Sequence, residues 1–228
     1  MTAMLASVNS LAEALLVEAA AVDIIDLKQP AQGALGALDV ATVIEIIGHL
    51  QLATRVSATI GDLPMLPDLV LPATQAMAAT GVDYVKIGFF PGGDWQACID
   101  ALQTVADQGQ ALVAVLFADT HPDFTIIDAL ARAGFHGVML DTMDKQCGSL
   151  TQLMSIEQLQ TFVDMADSRG LLSGLAGSLR AEDITHLLPL APDYLGFRGA
   201  LCMRHCRTAQ LDVAQIDALR VHWRALAA

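Results

Sequence analysis

Short runs of apolar and β-branched residues recur along this chain, and stretches with the hydrophobic spacing of helices separate them. A continuous apolar run of this length is typical of a strand buried on both faces, as in a parallel sheet. The pattern predicts eight such strands, at residues 4–8, 22–28, 55–60, 82–88, 111–117, 137–141, 171–176 and 193–198.

The segments between these strands predict helices at residues 10–20, 39–50, 71–80, 124–133, 155–170 and 181–188, with two more beginning near Asp94 and Val213. Ser10 with Glu13, and Ser155 with Gln158, have the spacing of capping boxes. Eight alternations of strand and helix favour a closed (β/α)8 TIM barrel over a doubly wound open sheet. We therefore expect residues 1–228 to form a single TIM-barrel domain.

Ionisable residues lie near the carboxyl ends of several predicted strands. They are Asp26, Lys28, Lys86, Asp141 and Arg198. Their positions share strand parity, so all five side chains can face the same way. The active sites of TIM barrels lie at this end of the strands.

Four of the strands also have an ionisable residue at or next to their start, namely Asp23, Asp83, His136 and Asp193. Aligning the strands on these residues predicts that Lys86 lies level with Asp26. A further lysine, Lys145, falls in the long loop predicted after the strand at 137–141.

Two lysines at one barrel mouth suggest a specific chemistry. A lysine amine is a nucleophile only after losing its proton, and at its ordinary pKa of about 10.4 very little of it is neutral at pH 7. A second cation nearby, or burial, lowers that pKa. Lys28 and Lys86 meet this condition, so the site can form an imine with a carbonyl substrate while the other lysine, Asp26 or Asp141 moves protons. The alternative is a set of structural ion pairs that tie strand ends together.

A second candidate site follows the last two predicted strands. Gly177 and Ser178 come after the seventh, and Arg198 and Gly199 come at the end of the eighth. The loops after these two strands often build a phosphate site in TIM barrels, because backbone N–H groups there face the anion. We predict that these four residues bind phosphate.

Composition limits the partners. Hydrophobic residues make up 54% of the chain and charged residues 16%, against about 25% charged in an average soluble domain. The apolar excess predicts subunit interfaces, and hence a homo-oligomer. The net charge of -13 argues against nucleic acid and anionic membranes as partners. An anionic small-molecule substrate must therefore be held by local cations.

The N-terminal segment lacks the basic residues of a signal sequence, so we expect a cytoplasmic protein. The cysteines show no Cys-X-X-Cys spacing. Cys202, His205 and Cys206 are close in sequence but have no evident fourth ligand, which makes a zinc site the weaker interpretation. We expect neither a metal nor a cofactor.

Taken together, the motifs resemble those of the (5-formylfuran-3-yl)methyl phosphate synthase family of methanofuran biosynthesis, known from methanogens and with relatives in methylotrophic bacteria. The motifs are DLKQP at 26–30, VSATIGDLP at 56–64, DYVKIG at 83–88, MLDT at 139–142, LAGSL at 175–179 and RGA at 198–200.

The resemblance implies a reaction in which two molecules of glyceraldehyde 3-phosphate condense to a furan aldehyde phosphate, losing one phosphate and water. It implies that Lys28 is the Schiff-base lysine and Lys86 the proton acceptor, and that Asp26, Asp141 and Lys145 share their site. The chain departs from the family pattern after Lys145 and after Cys202, where residues 203–207 replace a glycine-rich polar stretch. The alternatives are another Schiff-base aldolase, a phosphosugar isomerase, or a non-catalytic phosphosugar-binding subunit.

Overall fold

Eight parallel strands close into a barrel in chain order, in a computed structural model that describes residues 2–51, 53–144 and 147–227. The strands are β1 (Ala3–Val8), β2 (Ile24–Leu27), β3 (Arg55–Thr59), β4 (Tyr84–Gly88), β5 (Ala111–Phe117), β6 (Gly137–Asp141), β7 (Leu172–Leu175) and β8 (Tyr194–Phe197). Each strand pairs with the next, and β8 pairs with β1. The predicted TIM barrel is confirmed.

Helices separate the strands and pack against the outside of the barrel. They are α1 (Leu11–Ala19), α2 (Val40–His49), α3 (Pro67–Ala78), α4 (Trp95–Ala106), α5 (Ile126–Arg132), α6 (Leu150–Leu153), α7 (Ile156–Asp167), α8 (Ala181–Leu187) and α9 (Val213–Ala227). None of the helices in the described ranges combines the length and the apolar content that crossing a bilayer requires.

Two helices differ from the prediction. α3 begins at Pro67 rather than near residue 71, because proline has no N–H to lose in a first helical turn. α6 lies inside a segment predicted as loop, where Ser149 and Gln152 form a capping box. A helix of one turn is too short to show hydrophobic periodicity. The capping box predicted at Ser155 and Gln158 is present at the start of α7.

The barrel interior is filled by side chains over most of its length. The residues packed there include Leu5, Val113, Val115, Phe117, Met139 and Tyr194. Gly174 makes room for the ring of Tyr194, since a Cβ at Gly174 would lie 2.3 Å from the ring atom Cζ. Burial raises the pKa of the Tyr194 hydroxyl, so this group stays neutral. The packed interior leaves space for a ligand at the carboxyl ends of the strands.

Three of the aspartates that precede strands stabilise the amino end of the barrel. Asp23 accepts a hydrogen bond from the N–H of Met4 at 2.7 Å. Asp83 and Asp193 do the same for the N–H groups of Val56 in β3 and Ser173 in β7, at 2.8 and 2.7 Å. Each carboxylate satisfies a backbone donor of the preceding strand, so these charges are structural.

Candidate active site

A cavity of about 240 Å³ opens at the carboxyl ends of the strands. Seven of the predicted site residues line it, namely Lys28, Lys86, Asp141, Gly177, Ser178, Arg198 and Gly199. Asp26 contacts Lys86 and is 0% exposed. Lys145 lies outside the described residues. The structure therefore brings these predicted residues together at one cavity, with Asp26 buried beneath Lys86.

Asp26 is the centre of a hydrogen-bond network across neighbouring strands. Its Oδ2 accepts from the hydroxyl of Ser7 at 2.8 Å, and its Oδ1 accepts from the hydroxyl of Ser57 at 2.7 Å. The same Oδ1 accepts from Nζ of Lys86 at 2.9 Å. Burial alone would raise the pKa of the Asp26 carboxyl, but the charges of Lys86 and then Lys28, with hydrogen bonds from Ser57 and Lys86, hold that pKa below its ordinary value. The carboxylate is therefore ionised.

The prediction that Lys86 aligns with Asp26 across the sheet is wrong by two residues. Ser57 pairs with Asp26 on one side and with Tyr84 on the other, so Lys86 pairs with Thr59. A shift of two preserves the parity of the strand, and Lys86 therefore still points into the barrel. Its amine reaches the Asp26 carboxylate from one step further along the strand.

Lys28 follows directly after β2 and continues its ladder, donating its N–H to the carbonyl of Val8 at 3.0 Å. Its Nζ lies 3.9 Å from Oδ2 of Asp141, and both side chains are almost fully buried, at 8% and 4% exposure. Since the charge of Lys28 also acts on Asp26, both lysines and both aspartates share one electrostatic neighbourhood. This arrangement places two amines beside two carboxylates at one cavity.

The loop after β7 has the backbone form of an anion-binding turn. Gly177 and Ser178 both have positive φ, at 111° and 52°. A Cβ at Gly177 would lie 2.8 Å from Cγ2 of Thr142, so only glycine fits. In the part of the chain that the structure describes, the N–H groups of Gly177, Ser178 and Gly199 donate to no protein acceptor. These three donors at the cavity wall can serve a ligand.

Arg198, which was predicted to bind phosphate, directs its guanidinium to acceptors within the protein. Its Nε donates to the carbonyl of Arg207 at 2.9 Å, and Nη1 donates to the carbonyl of Ser7 at 3.1 Å and to Oε2 of Glu13 at 2.5 Å. Nη2 donates to Oε1 of Glu13 at 3.2 Å and to the carbonyl of Ala209 at 2.9 Å. All five N–H donors of the guanidinium are thus used within the protein. The geometry argues against a direct phosphate contact by this side chain.

This ion pair also changes the predicted start of α1. The Ser10 hydroxyl accepts from the N–H of Glu13 at 3.3 Å, which is half of a capping box. The Glu13 carboxylate bonds instead to the N–H groups of Asn9 and Leu211, besides Arg198. Glu13 therefore joins the first helix to the segment that precedes the last one.

Three cationic or titratable residues of the cavity wall were not predicted from the sequence, namely Arg180, His205 and Arg207. Arg180 follows the loop after β7, and the other two belong to the segment after β8. The available signal was their position after the two strands whose loops bind phosphate in TIM barrels.

Two further aspartates hold the loops around the cavity. Asp62 accepts from the N–H groups of Ala34 and Leu35 at 2.8 and 2.7 Å, which fixes the loop after β2. Asp119 accepts from the N–H groups of Met143 and Asp144 at 2.8 and 2.6 Å, which fixes the start of the loop after β6.

Solved structures with the same architecture include two enzymes of phosphosugar chemistry. Phosphoribosyl anthranilate isomerase from Thermus thermophilus superposes with a TM-score of 0.69 at 15% identity, covering 99% of this chain and 100% of that one. 3-Hexulose-6-phosphate synthase from Salmonella typhimurium gives 0.69 at 17% identity, covering 96% and 99%. At these identities the likeness shows the fold alone.

Sequence relatives are much more specific. The model of the 4-HFC-P synthase family matches residues 4–220. A (5-formylfuran-3-yl)methyl phosphate synthase of Methanobrevibacter smithii is 36% identical over 79% of this chain and 81% of its own. One of Methanococcus maripaludis is 34% identical over 88% and 90%. A Methylorubrum extorquens protein assigned by name to the same family is 41% identical over 99% and 94%. The chain therefore belongs to the (5-formylfuran-3-yl)methyl phosphate synthases, a family of enzymes that its sequence model describes as 4-HFC-P synthase.

Proposed function

We propose that this enzyme condenses two molecules of glyceraldehyde 3-phosphate into (5-formylfuran-3-yl)methyl phosphate through an imine on Lys28. One phosphate and two water molecules leave, which balances the atoms. The product would serve the biosynthesis of a methanofuran-type one-carbon carrier. The family supports this reaction, and the observation that carries the mechanism is the group of Lys28, Lys86, Asp26 and Asp141 at a single cavity.

Lys28 is the better nucleophile of the two lysines. Lys86 donates to Asp26 at 2.9 Å in a pair whose side chains are 3% and 0% exposed. The amine of Lys28 lies at the cavity wall, 3.9 Å from Oδ2 of Asp141. In the proposed first step the Lys28 amine attacks the aldehyde carbon, and the resulting carbinolamine loses water to form the imine.

Lys86 and Asp26 then move the protons. The Lys86 ammonium gives its proton to the hydroxyl that leaves the carbinolamine as water, and the neutral amine that remains accepts the proton of the carbon that the imine acidifies. The Asp26 carboxylate stabilises the ammonium that results, since it is held ionised beside Lys86. The enamine attacks the second aldehyde, and later imine chemistry allows phosphate to leave by β-elimination. Asp141 stabilises the positive imine on Lys28, and the resemblance adds Lys145 to this group.

One substrate phosphate would bind the N–H groups of Gly177, Ser178 and Gly199. Backbone N–H groups suit this task because their positions are fixed before the ligand arrives. Arg198 stabilises this part of the cavity wall through its hydrogen bonds to the carbonyl of Ser7 and the carboxylate of Glu13.

Trapping by borohydride tests the mechanism sharply, because the chain contains three lysines, Lys28, Lys86 and Lys145. With glyceraldehyde 3-phosphate alone, the wild type should release phosphate, develop a furan chromophore and gain an adduct on the peptide that contains Lys28. Lys28→Arg keeps the charge but cannot form the imine, so adduct and product should both vanish.

Lys86→Arg is the matched variant. It should still form the adduct on Lys28, while turnover falls about 10²–10⁴-fold, as expected for a lost proton acceptor. An adduct on another lysine would show that this other lysine, rather than Lys28, is the nucleophile. An adduct without the furan product would indicate a different Schiff-base aldolase. The absence of both would favour an isomerase or a binding subunit.

A further inference from the structure

The cavity holds an unusual share of the positive charge of this protein. The chain has a net charge of -13 and 12 lysine and arginine residues. Five of these, Lys28, Lys86, Arg180, Arg198 and Arg207, line this cavity. Among the described residues of its wall, Asp141 supplies the one carboxylate. Such a concentration in an acidic protein indicates a ligand with more than one anionic group.

Three of the five cations already lie beside a carboxylate of the protein. Lys86 pairs with Asp26, Lys28 lies near Asp141, and Arg198 pairs with Glu13. The remaining two are Arg180 and Arg207, which come from the loops after β7 and β8.

Arg180 has a buried donor that the protein does not satisfy. Its Nη1 is shielded from solvent and makes no hydrogen bond within the described part of the chain. Its backbone N–H donates to Asp183 at 2.7 Å, which fixes the point from which the side chain starts. Buried guanidinium donors without a partner are rare because they lose their hydration without compensation. A ligand anion in the cavity would complete this group.

Arg207 is held in place from two sides. Its Nη2 donates to the carbonyl of Gly33 at 2.8 Å, in the loop after β2. Its own carbonyl accepts from Nε of Arg198 at 2.9 Å. Arg198 also bonds to the carbonyl of Ala209, and Glu13 bonds to the N–H of Leu211. The buried pair of Arg198 and Glu13 thus fixes the segment that carries Arg207 against the cavity.

We propose that Arg180 and Arg207 form a second phosphate subsite, separate from the backbone donors of Gly177, Ser178 and Gly199, and that Arg198 with Glu13 positions Arg207. The ligand class is a phosphate monoester, whose oxygens match the forked donors of arginine. Assigning it to the second triose phosphate rests on the proposed function. Two subsites would let both substrates keep their phosphates bound while their aldehyde ends meet at Lys28.

Calorimetry with hexane-1,6-diol bisphosphate and hexyl phosphate tests the subsite. Neither probe has a carbonyl group, so neither can form an imine. The wild type should bind the bisphosphate at least about 10-fold more tightly, as expected for added charge-assisted hydrogen bonds. Arg180→Gln and Arg207→Gln should each bring this ratio close to one, because only one end of the bisphosphate then finds a subsite. Arg180→Lys and Arg207→Lys keep the charge without the fork and should give intermediate ratios.

Arg204→Gln is the matched control, since it removes the same charge from the same segment at an exposed residue that does not line the cavity. It should leave the ratio unchanged. The proposal is overturned if the wild type shows no preference, if both glutamine variants keep it, or if Arg204→Gln lowers it equally. The positioning role of Glu13 has its own test. Introduced alone, Glu13→Gln should lower the preference for the bisphosphate over hexyl phosphate, but it should cause no further loss when Arg207→Gln is already present. An equal loss in both backgrounds would refute the positioning of Arg207 by Arg198 and Glu13.

These outcomes are separable from those of the trapping experiment. If the arginine variants lose the bisphosphate preference but the wild type gains no lysine adduct, the second subsite is supported and the imine reaction is rejected. An adduct on Lys28 with an unchanged preference would keep the reaction and reject the subsite.

Discussion

Asp26→Asn should test whether the ion pair below the cavity stabilises the fold. The side chain keeps its size, but it exchanges an acceptor oxygen for an amide donor. Asp26 now accepts from Ser7, Ser57 and Lys86, and all three would face a group with fewer acceptor sites. More importantly, the Lys86 ammonium would lose its countercharge where its side chain is 3% exposed.

The expected loss follows from this burial. Removing one partner of a buried, hydrogen-bonded ion pair costs about 3–5 kcal/mol, because the other charge stays desolvated. A protein of this size loses about 2–4 °C of melting temperature per kcal/mol. The variant should therefore melt about 6–20 °C below the wild type.

Urea denaturation and thermal melts followed by circular dichroism measure both quantities. Asp128→Asn is the control, because it breaks the pair of Asp128 with Arg169, whose side chains are each 41% exposed. Its cost should stay under about 1 kcal/mol. Adding Lys86→Met to Asp26→Asn should recover much of the loss, since it removes the stranded charge. The reasoning would be refuted if the free energy of unfolding of Asp26→Asn lay within about 1 kcal/mol of the wild-type value. It would also be refuted if the double variant lost as much stability as Asp26→Asn and Lys86→Met lose separately when added together.

Three further changes probe other parts of the site. Because folding lowers the pKa of Asp26, its contribution to stability is full above its unfolded pKa of about 3.9 and is lost as pH falls from that value through the lower pKa of the folded state; urea unfolding at pH 7 and at several pH values below 4 should show a larger loss of stability in the wild type than in Asp26→Asn. Glu13→Gln should cost about 3–5 kcal/mol in the same assay by leaving Arg198 buried without its countercharge, and a neutral result would mean that the backbone carbonyls alone hold Arg198. Gly33→Ala should lower the melting temperature and weaken substrate binding, since Gly33 has a φ of 124° and its new Cβ would lie 2.0 Å from Oδ2 of Asp62; an unchanged Michaelis constant would show that the loop after β2 does not shape the cavity.

The repeating pattern of strands and helices was enough to predict the barrel, and the ionisable residues at the strand ends were enough to predict that their side chains meet at one cavity. Parity placed Lys28, Lys86 and Asp26 on the interior face, because alternation along a strand is a local property of the backbone. The register between strands could not be predicted in this way. Lys86 pairs with Thr59, two residues from the predicted alignment, because register depends on the relative shift of neighbouring strands and not on the sequence of one strand alone.

Residues outside the strands were harder to predict. Arg198 was expected to bind phosphate, but its side chain meets Glu13 and the carbonyls of a segment whose path no local pattern encodes. For the same reason Arg180 and Arg207 were missed, although their loops were named. The homo-oligomer expected from the apolar composition and the role of Lys145 stay predictions.

The bond between Glu13 and Arg198 also bears on how the chain is made. Arg198 leaves the ribosome 185 positions after Glu13, an interval of about 9–37 s at typical bacterial and eukaryotic elongation rates. During that time β1 has β2 as a neighbour but waits for β8, and the segment that carries Arg207 has not been synthesised. Lys28 and Lys86 are thus present in the nascent chain long before the residues after β8 that complete the wall around them.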